Sequence, residues 1–350
     1  MQIIIPLAGL GSRLRPLTYS TPKPLVTVAG KTVLGHVLDS LQGVPIDNIV
    51  FIVGYLGEQI ETYVKENFPQ YCAHFVEQKE LNGQSPAIRM TSDVVKKDVL
   101  IIFGDTIVEA DLSGLRDVDA DGVIFTKEVD DPRRFGVVKM QGSYITRFVE
   151  KPKEFVSNQA VGGVYYVKQS QKLFDAIDEQ IARDVQLKGE YFLADALQIM
   201  IDRGARLTTR PLNTWYDCGT ASALLDSNRF LLQRAASTET SREGCAIIPP
   251  VSIATTAKLT NSIVGPYVSI GEGVAISDSR IGPYVSIADE CQVARSVIQD
   301  SILNQDSLIE EATLAGSLIG NHAHFKGTFR RLIIGDESEV DLSYNHGEQG

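Results

Sequence analysis

A short repeat near the carboxyl end constrains the fold of this chain more than any other feature. The segment VGPYVSI at 264–270 recurs as IGPYVSI at 281–287. Across this region aliphatic residues recur at steps of five or six residues, a period that is too short for pairs of helices and too regular for a sandwich. It predicts a left-handed parallel β-helix, in which each hexapeptide forms one side of a triangular coil and one inward side chain fills the axis. The predicted inward residues are Leu259, Val264, Ile270, Ile276, Ile281, Ile287, Val293, Ile298, Leu303, Ile309, Leu314, Ile319 and Phe325.

The first 230 residues have a different pattern, in which apolar runs alternate with amphipathic helical segments. This alternation predicts an α/β domain with a mixed, mostly parallel sheet that helices cover on both faces. The predicted strands are Gln2–Ile5, Asn48–Val53, Val99–Phe103, Gly122–Phe125 and Val161–Val167. The predicted helices are Val33–Leu41, Gly57–Asn67, Ser170–Ile181, Tyr191–Asp202 and Ala221–Ala236. The predicted buried stripes are Val33, Val37, Leu38 and Leu41 on the first of these helices, and Leu173, Phe174, Ile177 and Ile181 on the third.

The change of pattern sets the predicted domain boundaries. Residues 237–244 are polar and Pro249-Pro250 follows them, which is typical of a linker. We therefore predict a catalytic domain at 1–236, a linker at 237–250, a β-helix at 251–342 and a fraying tail at 343–350. Because a stack of repeats ends in open edges, we also expect the chain to form a homo-oligomer.

Composition excludes several classes of protein. The 350 residues carry a formal net charge of -11, which argues against a general nucleic-acid binder. The four cysteines are scattered without a Cys-x-x-Cys pair, which is typical of free thiols in a reducing cytosol. The sequence shows no basic leader and no apolar run of the roughly 20 residues that a membrane span needs. We therefore expect a cytoplasmic protein without a membrane partner.

A glycine-rich turn follows the first predicted strand and points to a phosphate ligand. Leu7-Ala8-Gly9-Leu10-Gly11-Ser12 offers backbone N–H groups that no Cβ shields, and Arg13 and Lys23 add cationic donors. Such a set suits a nucleoside triphosphate. A P-loop is excluded because Gly-Lys-Ser/Thr is missing, and a dinucleotide fingerprint is excluded because position 14 is leucine.

The same stretch resembles the signature of the sugar-1-phosphate nucleotidylyltransferases. The matching residues are Gly9–Leu14, Pro16–Thr18 and Pro22–Leu25, and residues 332–340 are similar to the end of long-form glucose-1-phosphate thymidylyltransferases. The resemblance implies a Rossmann-like nucleotidyltransferase domain. It implies Mg²⁺-dependent transfer of a nucleotidyl group from a pyrimidine nucleoside triphosphate, with dTTP favoured, to a sugar 1-phosphate, with glucose 1-phosphate favoured.

Two aspartates at predicted strand ends are the candidate metal ligands. Asp105 follows a buried run and Gly104, and Asp217 lies in the segment WYDCGT. Mg²⁺ takes one or two carboxylates together with substrate phosphates, so the pair suits that ion. Either aspartate could instead cap a helix. The resemblance places Mg²⁺ on both residues.

The adjacent pair Glu150-Lys151 is the candidate contact for the sugar phosphate. Neighbouring side chains on a strand point in opposite directions, so a twist or bulge is needed before both can serve one ligand. A surface ion pair is the alternative interpretation. The resemblance implies that Glu150 binds sugar hydroxyls, that Lys151 binds the phosphate, and that Gly136 and Gly163 line the sugar pocket.

Base recognition is expected between Gln78 and Gly83, where the resemblance places a glutamine and a glycine on the pyrimidine edge. A buried glutamine with a structural role is the alternative. Residues 84–86 differ from the sequence that is usual in the resembled family, which leaves the choice between dTTP and UTP open. Altogether the predicted catalytic residues are Arg13, Lys23 and Asp105. The predicted nucleotide-binding residues are Leu7, Ala8, Gly9, Gly11, Ser12, Arg13, Lys23, Gln78, Gly83 and Gly104.

Other functions compete with this hypothesis. A UTP-dependent uridylyltransferase of glucose or N-acetylglucosamine 1-phosphate is the first alternative. In a bifunctional version the β-helix would acetylate a sugar, but His322 and His324 lack the surrounding pattern of that chemistry and are interpreted as structural. A non-catalytic sensor of sugar nucleotides is disfavoured because the charged residues named above are all retained.

Overall fold

The computed structural model describes residues 1–235, 241–328 and 332–341. The predicted linker therefore lies partly, and the predicted tail wholly, outside the described residues. The helices are α1 (Val33–Asp39), α2 (Gly57–Asn67), α3 (Gln84–Arg89), α4 (Ser170–Ala182), α5 (Leu193–Asp202) and α6 (Ala221–Arg234). The strands before α6 are β1 (Gln2–Pro6), β2 (Thr27–Val28), β3 (Lys31–Thr32), β4 (Asn48–Val53), β5 (Ala73–Glu77), β6 (Val99–Ile102), β7 (Thr106–Ala110), β8 (Gly122–Glu128), β9 (Gly136–Gln141), β10 (Tyr144–Glu150), β11 (Gln159–Val167) and β12 (Leu207–Asp217).

The described chain divides into two compact units, and the division differs from a simple cut along the sequence. The first unit combines Met1–Leu10 with Val37–Trp215, and the second combines Gly11–His36 with the chain from Tyr216 onward. The predicted domain boundaries stay a prediction. What the sequence pattern did not indicate is that the segment after Leu10 belongs to the same unit as the β-helix.

A mixed sheet forms the centre of the first unit, with the strand order β5-β4-β1-β6-β11-β8-β12-β7. Strands β5, β4, β1 and β6 run parallel, whereas β11 is antiparallel to both β6 and β8. Strands β9 and β10 form an antiparallel pair attached to β11. The predicted mixed, mostly parallel α/β sheet is thereby confirmed.

The core of this unit follows from continuous apolar runs that are buried on both faces, as parallel strands require. Ile3, Ile4 and Ile5 have no exposed surface, and all of β4 is buried. The predicted stripes on α1 and α4 are also buried, with one exception. Ile181 of α4 is 38% exposed, so its predicted place on the buried stripe was wrong. It lies in the last turn of the helix, one residue before the helix ends at Ala182.

The second unit contains a stack of short parallel strands after α6. These strands are β13 (Ala246–Ile247), β14 (Val251–Ile253), β15 (Lys258–Thr260), β16 (Ile263–Val264), β17 (Val268–Ile270), β18 (Ala275–Ser277), β19 (Arg280–Ile281), β20 (Val285–Ile287), β21 (Gln292–Ala294), β22 (Val297–Gln299), β23 (Ser301–Leu303), β24 (Leu308–Ala315), β25 (Leu318–Ile319), β26 (His324–Thr328), β27 (Ile333–Ile334) and β28 (Glu339–Asp341). Each pairs in parallel with strands of the neighbouring coils. The predicted parallel β-helix is confirmed.

The repeat that predicted this fold stacks directly on itself. Val264 pairs with Ile281 and Val268 pairs with Val285, so equivalent residues lie above one another. The rings of Tyr267 and Tyr284 stack with centroids 4.9 Å apart. All of the predicted inward residues are buried, from Leu259 at 8% exposure to Phe325 at 1%.

Serine hydroxyls form a hydrogen-bonded ladder between the coils. Ser262 Oγ accepts from the Ser279 N–H at 3.1 Å, and Ser279 Oγ accepts from the Ser296 N–H at 3.0 Å. Ser296 Oγ accepts in turn from the Ala312 N–H at 3.0 Å. Since buried backbone donors need acceptors, these hydroxyls satisfy positions at which strand pairing is interrupted.

Candidate active site

The parallel strands of the first unit bring several predicted residues to one edge of the sheet. The carboxyl ends of β5, β4, β1 and β6 share this edge because the strands run side by side in the same direction. Gln78 follows β5, Leu7–Gly9 follows β1, and Asp105 follows β6. Ligands of open α/β sheets bind outside the carboxyl ends of the strands.

Gly104 and Gly9 play different physical roles at this edge of the sheet. A Cβ on Gly104 would lie 2.0 Å from Leu7 Cδ2, so glycine is needed there to pack against Leu7, which directly follows β1. A Cβ on Gly9 would meet no atom of the described residues within 4 Å, and Gly9 is exposed. The Gly9 backbone is therefore open to a ligand, whereas Gly104 shapes the sheet edge beneath it.

Asp105 does not cap a helix. Strand β7 begins at Thr106, directly after it, and the Thr106 hydroxyl donates to Asp105 Oδ1 at 3.2 Å. The helix-cap alternative for Asp105 is thereby excluded. The carboxylate is half-buried at the strand end, which is a suitable place for a metal ligand.

The predicted base-recognition segment is held by close backbone contacts. Gly83 has φ +122°, and a Cβ there would lie 2.4 Å from the backbone nitrogen of Tyr191. Gln78 is 8% exposed, and its Nε2 donates to the carbonyls of Glu80 at 2.9 Å and Gly83 at 3.4 Å. In this arrangement the Gln78 amide shapes the loop, and bidentate pairing with a base would require these two bonds to open.

The Glu150-Lys151 pair meets the geometric condition that the sequence set for it. Strand β10 ends at Glu150, and Lys151 has φ +44°, which turns the chain so that Lys151 Nζ lies 3.4 Å from Glu150 Oε1. A Cβ on Gly136 would lie 2.7 Å from Glu150 Oε2, so the glycine makes room for this carboxylate. Both side chains can therefore face one ligand.

Electrostatics distinguish the two members of this pair. Burial raises the pKa of the Glu150 carboxyl, against the opposing effect of Lys151. Burial also raises the pKa of Asp195, in α5. Lys151 is 44% exposed and its Nζ lies 4.3 Å from the centre of the Phe192 ring. An exposed cation beside partly desolvated carboxyl groups is suited to an anionic ligand that also carries hydroxyl groups.

The sequence analysis missed the role of residues 190–195 in assembling this edge. Tyr191 pairs with Gly83, and Phe192 lies under Lys151, so the segment connects the predicted base and sugar regions. No pattern of residue types could indicate this link, because it depends on contacts between residues far apart in the chain. Gly163, with φ +77°, joins the same edge because its carbonyl accepts from the Phe103 N–H at 3.0 Å.

The signature segment of the second unit is shaped by its own glycine. Gly11 has φ +62°, and a Cβ there would lie 3.0 Å from Lys23 Cβ and 3.1 Å from Thr18 Cγ2. The Thr18 hydroxyl donates to the Gly11 carbonyl at 2.8 Å. These contacts place Lys23 directly beside the turn, and its phosphate-binding role stays a prediction. Ser12 and Arg13 are exposed on this turn.

Asp217 lies at the end of β12 in the second unit. The helix that follows, α6, is capped by Thr220, whose hydroxyl accepts from the Ala223 N–H at 3.3 Å. Asp217 therefore does not cap that helix. A Cβ on Gly219 would lie 2.7 Å from Asp217 Oδ1, so the glycine leaves space beside the carboxylate.

The remaining predictions concern cysteine, histidine and membrane contacts. Cys72, Cys218, Cys245 and Cys291 are free thiols, as predicted. His322 Nδ1 lies 2.9 Å from Asp306 Oδ2, and hydrogen bonding to this carboxylate raises the pKa of His322. In the part of the chain that is described, no helix has the length and apolar character to cross a bilayer.

Two curated relatives match different shares of this chain. The "Bifunctional protein GlmU" of Methanocaldococcus jannaschii is 34% identical over 67% of this chain and 55% of its own length. The chain thus matches about half of that relative. The glucose-1-phosphate thymidylyltransferase of Streptomyces griseus is 29% identical over 98% of this chain and 100% of its own length.

A solved structure from Bacillus anthracis, provisionally assigned as a glucose-1-phosphate thymidylyltransferase and determined with sucrose, superimposes with a TM-score of 0.58. It is 28% identical and covers 66% of this chain and 94% of its own. The family model described as "Nucleotidyl transferase" matches residues 2–234. The chain therefore belongs to the nucleotidyltransferase family.

Proposed function

We propose that this protein transfers a nucleotidyl group from a pyrimidine nucleoside triphosphate to a sugar 1-phosphate and releases pyrophosphate. We favour dTTP and glucose 1-phosphate as the substrates. One observation carries the proposal. In the first unit the predicted base and sugar residues are connected by contacts, from Gln78 and Gly83 through Tyr191 and Phe192 to Lys151.

The proposed reaction needs no proton acceptor on the protein. An oxygen of the sugar 1-phosphate attacks the α-phosphorus, the bond to the β-phosphate breaks, and pyrophosphate leaves with the electron pair. The nucleophile is already an anion at neutral pH. The task of the protein is therefore to hold two mutually repelling anions in line and to stabilise the charge that develops. We assign this task to Arg13, Lys23 and Lys151.

Mg²⁺ is the proposed cofactor, with Asp105 and Asp217 as its protein ligands. Both are carboxylates at strand ends that do not cap helices, and Gly219 leaves space beside Asp217. Hard oxygen donors suit this ion. When bound, Mg²⁺ would neutralise charge on the phosphates.

The nucleobase is the less constrained part of the proposal. Agreement over nearly the whole length with the thymidylyltransferase of Streptomyces griseus supports dTTP. A relative from Haloferax volcanii, named UTP–glucose-1-phosphate uridylyltransferase AglF, is 30% identical over 61% of this chain and supports UTP. A homo-oligomeric, cytoplasmic enzyme remains our expectation.

The test is a matrix of substrates with the purified full-length protein. We would combine dTTP, UTP, GTP, ATP and CTP with the 1-phosphates of glucose, galactose, mannose, glucosamine and N-acetylglucosamine, and measure pyrophosphate with and without Mg²⁺. We expect the fastest release with dTTP and glucose 1-phosphate. A clear preference for UTP would replace the favoured nucleotide, and no release from any pair would refute the proposed function.

A further inference from the structure

A polar cluster joins the signature segment to the late coils of the β-helix. It consists of Ser20, Thr21, Asn321 and Asp336, and we name it the loop–coil cluster. Asp336 Oδ2 accepts from the Ser20 hydroxyl and, at 3.1 Å, from the Thr21 hydroxyl. Asn321 Nδ2 donates to Thr21 Oγ1 at 2.9 Å. All four residues belong to the second unit, and Lys23 follows Thr21 after a single proline.

Asp336 makes two kinds of contact, and a comparison within the β-helix separates them. Its Oδ1 accepts from the Asn321 N–H at 2.7 Å, which links two successive coils. Asp289 makes the same coil-to-coil bond, since its Oδ1 accepts from the Glu272 N–H at 2.8 Å. The contacts from Asp336 to Ser20 and Thr21 are additional. Coil stacking alone therefore does not explain this side chain.

Apolar contact and a second anchor support the same arrangement. A Cβ on Gly335 would lie 3.0 Å from Pro16 Cβ, so the last described coil lies directly against the signature segment. Farther along the segment, the buried Asn228 of α6 accepts from the Ala29 N–H at 2.9 Å and from the Ser286 hydroxyl at 2.6 Å. The segment that carries Lys23 is thus fixed to the β-helix unit on both sides of that residue.

We propose that the loop–coil cluster is a positioning device, in which Asp336 and Asn321 hold Ser20 and Thr21 so that Lys23 is aligned with the phosphates of the nucleotide. The β-helix then contributes to the reaction through the placement of one cation. This inference rests on the proposed function, because it assigns Lys23 to the nucleotide. Misplacing a group by about 1 Å can cost on the order of a hundredfold in rate.

The test compares Asp336→Ala with the matched control Asp289→Ala in the full-length protein. Both variants remove a coil-to-coil hydrogen bond from a backbone N–H. Asp336→Ala also removes the contacts with Ser20 and Thr21 and the 3.4 Å bond from Asn321 Nδ2 within the cluster. For Asp336→Ala we expect kcat to fall by about tenfold to a hundredfold and KM for the nucleotide to rise, with KM for the sugar 1-phosphate unchanged. Asp289→Ala is expected to keep the wild-type kinetics. Asp336→Asn, which keeps an acceptor oxygen, should recover part of the rate.

A double variant tests whether Asp336 acts through Lys23. In a Lys23→Met background, adding Asp336→Ala should change kcat/KM by less than about twofold, because the group being positioned is already gone. Independent, multiplicative losses would overturn the proposal. So would equal kinetics of Asp336→Ala and Asp289→Ala.

Amide hydrogen exchange provides a readout that does not depend on catalysis. Peptides covering 16–25 should exchange faster in Asp336→Ala than in Asp289→Ala, while peptides of β4 should not change. If the wild-type protein releases no pyrophosphate from any substrate pair, the proposed function fails and this exchange experiment alone decides the placement. Unchanged exchange at 16–25 would overturn it.

Discussion

Lys151 shows how a single backbone torsion prepares a binding residue. With φ +44° it turns out of β10 and approaches Glu150, so the strand alternation that would separate the two side chains no longer applies. The sequence indicated that such a turn was needed but did not locate it. Because Lys151 is not glycine, its left-handed conformation is maintained by the surroundings, such as its N–H bond to the Phe135 carbonyl at 3.0 Å.

We predict that Lys151→Met lowers kcat/KM for the sugar 1-phosphate by about a hundredfold, because loss of one electrostatic contact commonly costs about 3 kcal/mol. Methionine keeps the stem of the side chain over Phe192. The matched control is Lys153→Met, which removes an exposed lysine two positions away and should keep wild-type kinetics. Steady-state kinetics with varied sugar 1-phosphate check this, and equal losses in both variants would contradict it.

Asp105 gives a second prediction at this scale. Asp105→Ala should nearly abolish Mg²⁺-dependent release of pyrophosphate, because one of the two proposed ligands is lost. Asp111→Ala is the control, since Asp111 is an exposed carboxylate that accepts from Ser113 at 2.6 Å. A pyrophosphate assay over a range of Mg²⁺ concentrations measures both. Full activity of Asp105→Ala would refute the metal assignment.

The raised pKa of Glu150 predicts that the stability of the protein depends on pH. Burial raises its pKa in the folded protein above the ordinary value of 4.5, so the folded state binds this proton more tightly than the unfolded chain. The contribution of Glu150 to the free energy of unfolding is therefore largest at low pH and declines as pH rises from 4.5 through the raised pKa. Urea unfolding between pH 4 and pH 8 should show this decline in the wild type and a smaller one in Glu150→Gln. Parallel curves would count against it.

At the scale of elements, the sequence predicted those whose apolar pattern is strong. Strand β4 and helix α2 have the predicted bounds, and the β-helix has the predicted inward residues. Strand β5 was missed because its residues are only half-buried at the edge of the sheet. The direction of β11 was also beyond reach, since a continuous apolar run fits a parallel or an antiparallel neighbour equally well.

We predict that the serine ladder contributes to the stability of the β-helix. Ser279→Ala leaves the buried Ser296 N–H without its acceptor and removes a donor to the Ser277 carbonyl at 2.6 Å. We expect the free energy of unfolding to fall by about 1–3 kcal/mol. The exposed Thr255 provides the control variant Thr255→Ala, which should stay within about 0.5 kcal/mol of the wild type. Urea unfolding followed by circular dichroism compares the two.

At the scale of the whole molecule, sequence patterns could not predict that residues 11–36 belong to the same unit as the β-helix. The motif identified which residues form the candidate site, because glycines, cations and carboxylates carry their chemistry in their types. It could not show that Thr21 contacts Asp336, because that contact spans 315 positions and depends on how the coils stack. The residue types of a motif can be identified from the local sequence. The structural unit to which the motif belongs depends instead on contacts with residues far away in the chain.

Asn228 allows a test of this organisation. Its buried side chain connects α6, the hairpin of β2 and β3, and the coil that contains Ser286. Asn228→Ala should lower the free energy of unfolding by about 2–3 kcal/mol, since the buried Ser286 hydroxyl and the partly buried Ala29 N–H both lose their acceptor. The Asn228→Ala variant should also show faster amide hydrogen exchange at residues 27–32. Asn67→Ala, on the exposed end of α2, is the control, and equal stability of the two variants would contradict the prediction.

The contact between Thr21 and Asp336 has a consequence for biosynthesis. The ribosome makes Ser20 316 residues before Asp336. At roughly 5–20 residues per second, that interval is on the order of half a minute. If the late coils align the cation at position 23, a nascent polypeptide cannot be active until residue 336 has been translated. Synthesis of the late coils would then itself control when the enzyme begins to work.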